Sequence, residues 1–158
     1  MLSPSDSPIK SKNMNNKQNS ISLFTASFKQ GFTCPNVPLV TVYNGDKELI
    51  FLLDSGSEYN VIDEQSLPSL SYTPIQDETL PNTLSGVGGV TKASACSLSF
   101  KCDGKEYTET FLINDLSDPL KMLKQETGVI MHGILGSKFM MEKGVVLDYR
   151  NLMAYSKS

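Results

Sequence analysis

The residues best suited to chemistry are a carboxylate, a hydroxyl and a glycine in succession, Asp54-Ser55-Gly56, directly after the apolar Leu52 and Leu53. An apolar strand partly removes water from a carboxylate at its end. Glycine lets backbone groups approach that carboxylate without side-chain interference. A carboxylate in such a place can act as a general base or acid. Because an isolated Asp-Ser-Gly also forms an ordinary turn, the rest of the chain decides its meaning.

Two further glycine-containing segments follow in the sequence. Residues 85–90 read SGVGGV and predict the mobile tip of a hairpin. Ile134-Leu135-Gly136 stands directly before a predicted helix over 137–143, which ends at a glycine. The order along the chain is therefore a carboxylate loop, a glycine-rich hairpin, and an apolar pair followed by glycine.

The three segments together resemble the retropepsin-like aspartic peptidases, the family of retroviral proteases and their stand-alone relatives. The resemblance spans roughly residues 37–151 and is closest to the stand-alone bacterial forms over 133–149. It implies that Asp54 is catalytic and that Ser55 and Gly56 shape the active-site loop. It also implies structural support from Ile134, Leu135 and Gly136, and a substrate-covering flap made of Gly86, Val87, Gly88 and Gly89.

The sequence departs from the retroviral pattern in two places. Ser57 stands where retroviral enzymes commonly carry alanine, and residues 118–128 form an insert that is much shorter in those enzymes. Cellular relatives tolerate serine at that position, so Asp54 is still expected to be catalytic. The substrate preference of the retroviral enzymes, however, is not transferred to this chain. The insert contains a predicted helix, which we expect to cover a barrel end or shape a dimer interface.

The length of the chain makes the single Asp-Ser-Gly informative. With 158 residues, the chain has room for one domain but not for a second catalytic lobe. Aspartic peptidases use two facing carboxylates that share one proton, one acting as base toward water and the other as acid toward the substrate carbonyl. We therefore expect Asp54 to meet its symmetry mate in a homodimer. The implied activity is endopeptidase cleavage of an extended polypeptide, without metal or organic cofactor.

Two other functions fit the same residues. A dimeric peptide-binding module could keep the fold without proteolysis. A protease could also process only its own precursor, in which case polar residues 1–20 are a cleaved linker. The intact Asp54, Ser55 and Gly56 favour the general endopeptidase.

Other titratable residues form no competing site. His132 is the only histidine and has no cysteine or carboxylate at metal-ligand spacing, which favours a structural or solvated role. Asp148 is expected to end a strand or pair with a cation. Glu58, Asp63 and Glu64 are expected on a solvated turn.

Composition limits the partners. The chain has 14 basic and 17 acidic residues, a net charge of -3 and a single arginine, Arg150, which argues against nucleic acid. No apolar run approaches the roughly 20 residues of a membrane-spanning helix.

Residues 1–20 read as a flexible polar tail, with the protease domain over 21–158. Cys96 and Cys102 are expected to be buried free thiols, which suits a reducing compartment and a cytoplasmic location.

Turn chemistry predicts the elements that position the carboxylate loop. Strands over 40–43 and 49–53 flank Asn44-Gly45, and strands over 96–102 and 107–113 flank Asp103-Gly104. Further strands are predicted over 21–28 and 145–149, and helices over 120–127 and 137–143. This pattern predicts an all-β barrel or sandwich. The resemblance selects a closed, retropepsin-like barrel protomer with one or two short C-terminal helices, assembling as a twofold homodimer.

Overall fold

The computed structural model describes residues 23–29, 37–76, 80, 83–86, 89–92 and 94–156. The predicted tail, residues 1–20, lies outside these ranges. The strands are β1 (Thr25–Ser27), β2 (Leu39–Asn44), β3 (Lys47–Leu53), β4 (Val61–Asp63), β5 (Tyr72–Ile75), β6 (Thr83–Gly86), β7 (Gly89–Lys92), β8 (Ser94–Cys102), β9 (Lys105–Asn114), β10 (Gly133–Leu135), β11 (Val145–Asp148) and β12 (Met153–Ser156). The helices are α1 (Ser117–Thr127), α2 (Ser137–Lys143) and a 3-10 helix, Glu64–Ser69.

Six of these strands close a barrel. Their order is β2-β3-β10-β4-β9-β8, and β8 returns to β2 through the pairing of Lys101 with Tyr43. The remaining strand of this sheet, β5, pairs with the first half of β8. The prediction of an all-β, closed-barrel protomer with short helices in its C-terminal part is therefore confirmed.

The two predicted hairpins are present, with different turns. Asp103 and Gly104 have φ angles of 51° and 75°, as the tight turn between β8 and β9 requires. Between β2 and β3 the turn lies one residue later than predicted. Asn44 pairs with Lys47, so Gly45, with φ of 57°, and Asp46 are the central residues.

The side chain of Asn44 explains this shift. It is buried, and its Nδ2 donates hydrogen bonds to the carbonyl oxygens of Ser71 at 3.0 Å and Ser99 at 2.8 Å. Its Oδ1 accepts the Ser71 N–H at 2.8 Å. β2 and β5 pair with different stretches of β8, and these bonds bridge the gap between the two strands. Asn44 therefore belongs to the strand rather than to the turn.

The main hydrophobic core fills the barrel with edge-to-face and stacked aromatic rings. Phe100 lies at its centre, with ring centroids 5.8 Å from Phe51 and 5.6 Å from Tyr107. Cys96 and Cys102 are buried free thiols in this core, as predicted. Burial raises the pKa of each thiol to about 11.

A second hydrophobic cluster lies between α1 and the outer side of the barrel wall. Leu116, Leu120 and Met131 pack there against barrel residues that include Leu39 and Ile50. Helix α1 begins three residues earlier than predicted, at Ser117. Neither α-helix in the described ranges combines the length and hydropathy needed to cross a membrane.

A separate antiparallel sheet joins the two ends of the described chain in the order β1-β12-β11. Thr25 pairs with Tyr155, and Tyr155 pairs with Val146. β1 is shorter than the predicted strand over 21–28, of which residues 21 and 22 lie outside the described ranges. β12 was not predicted.

Candidate active site

Asp54 is the first residue after β3 and is half-buried. Its backbone N–H donates to the carbonyl oxygen of Leu135, the last residue of β10, at 3.0 Å. Because β10 is parallel to β3, with Leu135 in register with Leu53, this bond continues the ladder into the loop. The barrel thereby fixes the backbone from which the carboxylate projects.

The carboxylate is oriented by its own loop. Its Oδ1 accepts the Gly56 N–H at 2.9 Å, and its backbone carbonyl accepts the Ser57 N–H at 3.1 Å. A Cβ added to Gly56 lies 3.2 Å from this Oδ1, a tight contact. Ser55 and Gly56 themselves are exposed. Asp54, Ser55 and Gly56 therefore form a turn in which the carboxylate lies beside solvent-exposed backbone.

Gly136 lies directly beneath the loop. A Cβ at this position comes within 2.5 Å of the Tyr59 carbonyl oxygen and 2.6 Å of the Ser57 carbonyl oxygen. These distances are far inside van der Waals contact, and both atoms belong to the backbone. Only glycine permits the end of β10 and the loop to approach this closely.

Asn60 ties the loop to the barrel and was missed by the sequence analysis. Its buried Oδ1 accepts the Gly136 N–H at 2.9 Å, while its Nδ2 donates to the Thr110 carbonyl at 3.2 Å. Its backbone carbonyl also accepts the Leu112 N–H at 2.8 Å. The available signal was an amide directly before the apolar pair Val61-Ile62, which is ambiguous by itself.

The loop also holds the start of α2. The Ser137 N–H donates to the Ser57 carbonyl at 2.6 Å, and the Lys138 N–H donates to the Glu58 carbonyl at 3.1 Å. These bonds satisfy donors that a helix leaves unpaired at its N-terminus. Ser57 Oγ donates to the Tyr59 carbonyl at 2.8 Å. The loop and helix thus stabilise one another.

Lys138 adds an exposed contact on the outer side of the loop. Its Nζ lies 3.5 Å from Glu58 Oε1 and 4.3 Å from the centre of the Tyr59 ring. Its interactions with Tyr59 and Glu58 raise the pKa of Lys138. Glu58 therefore pairs with a cation at the edge of the loop, where the sequence predicted only a solvated turn.

The two apolar residues before Gly136 face different clusters. Leu135 is fully buried in the main core, and Ile134 packs against the cluster beneath α1. β10 lies between β3 and β4, the strands that enter and leave the loop. The segment predicted to support the loop therefore forms the barrel wall directly beside it.

The predicted flap corresponds to β6 and β7, which form an antiparallel hairpin with Gly86 opposite Gly89. Val87 and Gly88, the predicted tip, lie outside the described residues. In the described ranges this hairpin forms a separate two-stranded sheet.

His132 belongs to the barrel framework rather than to the loop. Its Nδ1 accepts the Ile50 N–H at 3.0 Å, and its own N–H donates to the Ile50 carbonyl at 2.8 Å. Burial, and secondarily the charge of Lys47, lower its pKa, whereas the carboxylates of Asp63 and Glu48 act in the opposite direction. This is the structural role that the sequence favoured.

The remaining acidic candidates hold local structure. Asp63 Oδ1 accepts the Leu116 N–H ahead of α1, at 3.1 Å. Asp148 accepts bonds from its own turn, and the bonds from Asn151 lower its pKa. Within the described residues, no group of three or more His, Cys, Asp or Glu side chains is placed to hold a metal ion.

Comparison with known proteins gives matches among solved structures. No protein-family model matches the chain, and no curated protein matches it. Among solved structures, the chain is similar to the EIAV protease complexed with the inhibitor HBY-793, with 22% identity and a TM-score of 0.49. The match covers 68% of this chain and 88% of the viral chain.

Proposed function

We propose that this chain is an aspartic endopeptidase whose catalytic carboxyl pair forms across a homodimer, each protomer contributing Asp54. The observation that carries the proposal is the fixed geometry of the Asp54 carboxylate. Its Oδ1 accepts the Gly56 N–H at 2.9 Å, in a loop bonded to Leu135 at its start and packed on Gly136 beneath.

The geometry leaves part of the carboxylate available for chemistry. Among the described residues, Oδ2 of Asp54 has no hydrogen-bond partner, whereas Oδ1 is held by the loop. Ser55 and Gly56 are exposed beside it, so another molecule can reach the same surface. This arrangement suits a carboxyl group that shares a proton with a second carboxyl group and contacts a water molecule.

The second carboxylate comes from another copy of the chain in this proposal. Among the other acidic residues that the sequence singled out, Asp63 and Asp148 already hold α1 and a turn, and Glu58 pairs with Lys138. In a twofold dimer, one Asp54 acts as base toward the attacking water while the other protonates the substrate carbonyl oxygen. The roles then exchange as the tetrahedral intermediate collapses and the amine leaves.

The proposed substrate is an extended polypeptide. The hairpin of β6 and β7 carries Gly86 opposite Gly89 next to its tip, which gives the backbone freedom to close over a bound chain. An extended peptide is held chiefly by strand-like backbone hydrogen bonds. No metal or organic cofactor enters this reaction.

The proposal extends to relatives and location. Stand-alone bacterial retropepsin-like enzymes are the proposed relatives, on the resemblance of residues 133–149. A cytoplasmic location is supported by Cys96 and Cys102, which are free thiols in the main core. Free thiols are usual in reducing compartments.

The decisive experiment compares the wild type with Asp54→Asn and a matched control, Asp46→Asn. Asp46 lies on the exposed β2–β3 turn. Each protein is incubated with a mixed peptide library from acidic to neutral pH, and products are identified by mass spectrometry. Sedimentation records the oligomeric state of the same samples.

We expect cleavage by the wild type and by Asp46→Asn, and none by Asp54→Asn, all three being dimers. Cleavage that survives Asp54→Asn refutes the catalytic assignment. A dimer that cleaves no peptide in any variant favours the peptide-binding module instead. Cleavage confined to the chain's own N-terminal segment identifies self-processing.

A further inference from the structure

A cavity of about 680 Å³ opens on the barrel beside the β2–β3 turn. Tyr43, near the end of β2, and Tyr72, at the start of β5, line it and are 45% and 40% exposed. Ser97, Ser99 and Lys101 also line it, and they alternate along β8 with core residues, so they face away from the core. Among the described residues that line this cavity, none belongs to the Asp54 loop, to β10 or to the β6–β7 hairpin.

Two opposite charges lie at one end of the cavity. Lys101 and Glu106 are directly opposite each other on β8 and β9, and both are exposed. Within the described residues, neither side chain forms an ion pair. Tyrosine and serine are the residues with which antibody loops bind polypeptides, because they combine rigid apolar area with adaptable hydrogen bonding. The cavity therefore offers a polypeptide aromatic rings, hydroxyl groups and one free charge of each sign.

The described chain begins close to this end of the cavity. The carbonyl oxygen of Leu23, the first described residue, accepts a hydrogen bond from Lys105 Nζ. Lys105 directly precedes Glu106, and 22 residues precede Leu23. Residues 10–22 alone can span about 40 Å when extended. This reach is ample for passing the β8–β9 turn and entering the cavity.

We propose that residues 4–9, Pro-Ser-Asp-Ser-Pro-Ile, bind in this cavity of the same chain. The occupant is thus the N-terminal segment of the chain, and its residues nearest to Leu23 lie at the Glu106 end. The inference is independent of the proposed function, because it uses no residue of the candidate active site.

The prolines of the segment suit the two tyrosines. Proline-containing segments bind aromatic-lined grooves at a low cost in entropy, because their extended conformation is largely preset. At about 3.1 Å per residue, Pro4 and Pro8 are about 12 Å apart. Tyr43 and Tyr72 are opposite positions of β8 that are three residues apart, which is about 10 Å. Pro8 can therefore contact Tyr43 while Pro4 contacts Tyr72.

The charges of the segment are complementary to those of the cavity. Asp6 lies midway between the two prolines, and Lys10 follows them. With Pro8 at Tyr43, Asp6 comes within reach of Lys101, and Lys10 within reach of Glu106. Three lysines and one aspartate give residues 1–22 a charge of +2, which leaves -5 on the other residues of a chain with net charge -3. The segment is therefore also attracted to the rest of the chain over a longer range.

Binding of the segment connects two strands that are otherwise held together by one side chain. β2 and β5 pair with different stretches of β8, and Asn44 bridges them through its bonds to Ser71. A segment that contacts both tyrosines adds a second bridge. In the described part of the chain, β5 pairs with β8 alone, so its order depends on such additional contacts.

NMR relaxation of the full-length, ¹⁵N-labelled chain tests the proposal. We expect order parameters above about 0.8 for the N–H groups of residues 5, 6, 7 and 9, against values below about 0.6 for an unbound segment. Tyr43→Ala combined with Tyr72→Ala should lower them to the unbound range. Tyr149→Ala removes a tyrosine that is 51% exposed but does not line the cavity, so this matched control should leave them unchanged.

A charge exchange tests the register of binding. Asp6→Lys and Lys101→Asp each bring like charges together, so each variant alone should release the segment. The double variant places opposite charges together again and should restore the order parameters. Pro4→Ala combined with Pro8→Ala changes no residue of the barrel, so it tests the same contacts without affecting folding, and it should also release the segment.

Order parameters below about 0.6 for residues 5–9 of the wild type overturn the proposal. So does an ordered segment that persists after both tyrosines or both prolines are replaced. If the single charge variants release the segment and the double variant does not restore it, the pairing of Asp6 with Lys101 is wrong. Order that is lost on dilution shows binding to a second copy and overturns the assignment to the same chain.

Discussion

Asn60 accepts the backbone N–H of Gly136 through its side-chain Oδ1 at 2.9 Å, inside the protein and directly below the loop that carries Asp54. The same amide donates to the Thr110 carbonyl on β9. One side chain therefore joins the end of β10, the end of the loop and the neighbouring barrel strand.

Replacing Asn60 with alanine should lower the free energy of unfolding by about 1 to 3 kcal/mol, because the buried Gly136 N–H loses its acceptor. Urea denaturation followed by fluorescence measures this change. Asn114→Ala, which removes an exposed bond to the Asp115 N–H, is the matched control and should have a smaller effect. Equal losses in the two variants would contradict the role assigned to Asn60.

Replacing Gly136 with alanine should be more damaging than replacing Gly56. At Gly136 the added methyl group collides with two backbone carbonyls, at 2.5 and 2.6 Å, which side-chain rotation cannot relieve. We expect a loss of about 3 kcal/mol or more in the free energy of unfolding. At Gly56 the contact is 3.2 Å from the Asp54 carboxylate, so stability should change little while peptide cleavage falls. Urea midpoints and cleavage rates separate the two effects.

The stability of the protein should depend on pH through His132. Burial lowers the pKa of this imidazole from its ordinary value of 6.5, and the folded ring accepts the Ile50 N–H through Nδ1. The unfolded chain then binds a proton more readily than the folded one. The contribution of His132 to the free energy of unfolding is therefore fully present above pH 6.5 and is lost as pH falls through and below this value.

Urea denaturation at pH 7.5, 6.5 and 5.5 measures this dependence. His132→Asn keeps an acceptor near the position of Nδ1 but does not titrate, so its stability should fall less with decreasing pH. His132→Gln, which moves the acceptor, serves as a control and should be less stable at each pH. An unchanged pH slope in His132→Asn would show that other groups cause the dependence.

The two core thiols should be nearly inert in the folded protein. Their pKa values are about 11, so only a very small fraction of each is thiolate at pH 8. Cys34, the third cysteine of the chain, is first replaced by serine so that only Cys96 and Cys102 can react. In this Cys34→Ser background, we expect little reaction with a disulfide reagent in buffer. Rapid modification of both thiols is expected in urea. Rapid reaction without denaturant would contradict the burial of Cys96 and Cys102.

The sequence predicted best where one local pattern decides the structure. Asp103-Gly104 adopts positive φ angles at both residues, which that dipeptide favours, and α2 runs over the predicted residues. Prediction failed where distant residues decide. Asn44 lies in β2 because Ser71 and Ser99 bind its amide, and no local pattern contains that information.

The residues of the candidate site also divide into those that a local sequence pattern reveals and those whose role depends on distant residues. Asp54, Ser55 and Gly56 stood out because their types are suited to a carboxylate loop. Asn60 did not, because its role consists of contacts with Gly136 and Thr110, which are adjacent only in the folded barrel. β12 was missed because its pairing partners, β1 and β11, include the opposite end of the described chain.

The position of β10 between β3 and β4 has a consequence for the order of events during synthesis. Asp54 leaves the ribosome long before residues 133–138, yet its loop takes its backbone bonds from Leu135 and its packing from Gly136. Contacts between such distant parts of a chain form slowly, because closing the intervening loop costs entropy. A nascent chain that has not yet exposed this C-terminal segment therefore carries Asp54 without the geometry described above. The timing of translation itself delays assembly of the loop until almost the whole barrel has been made.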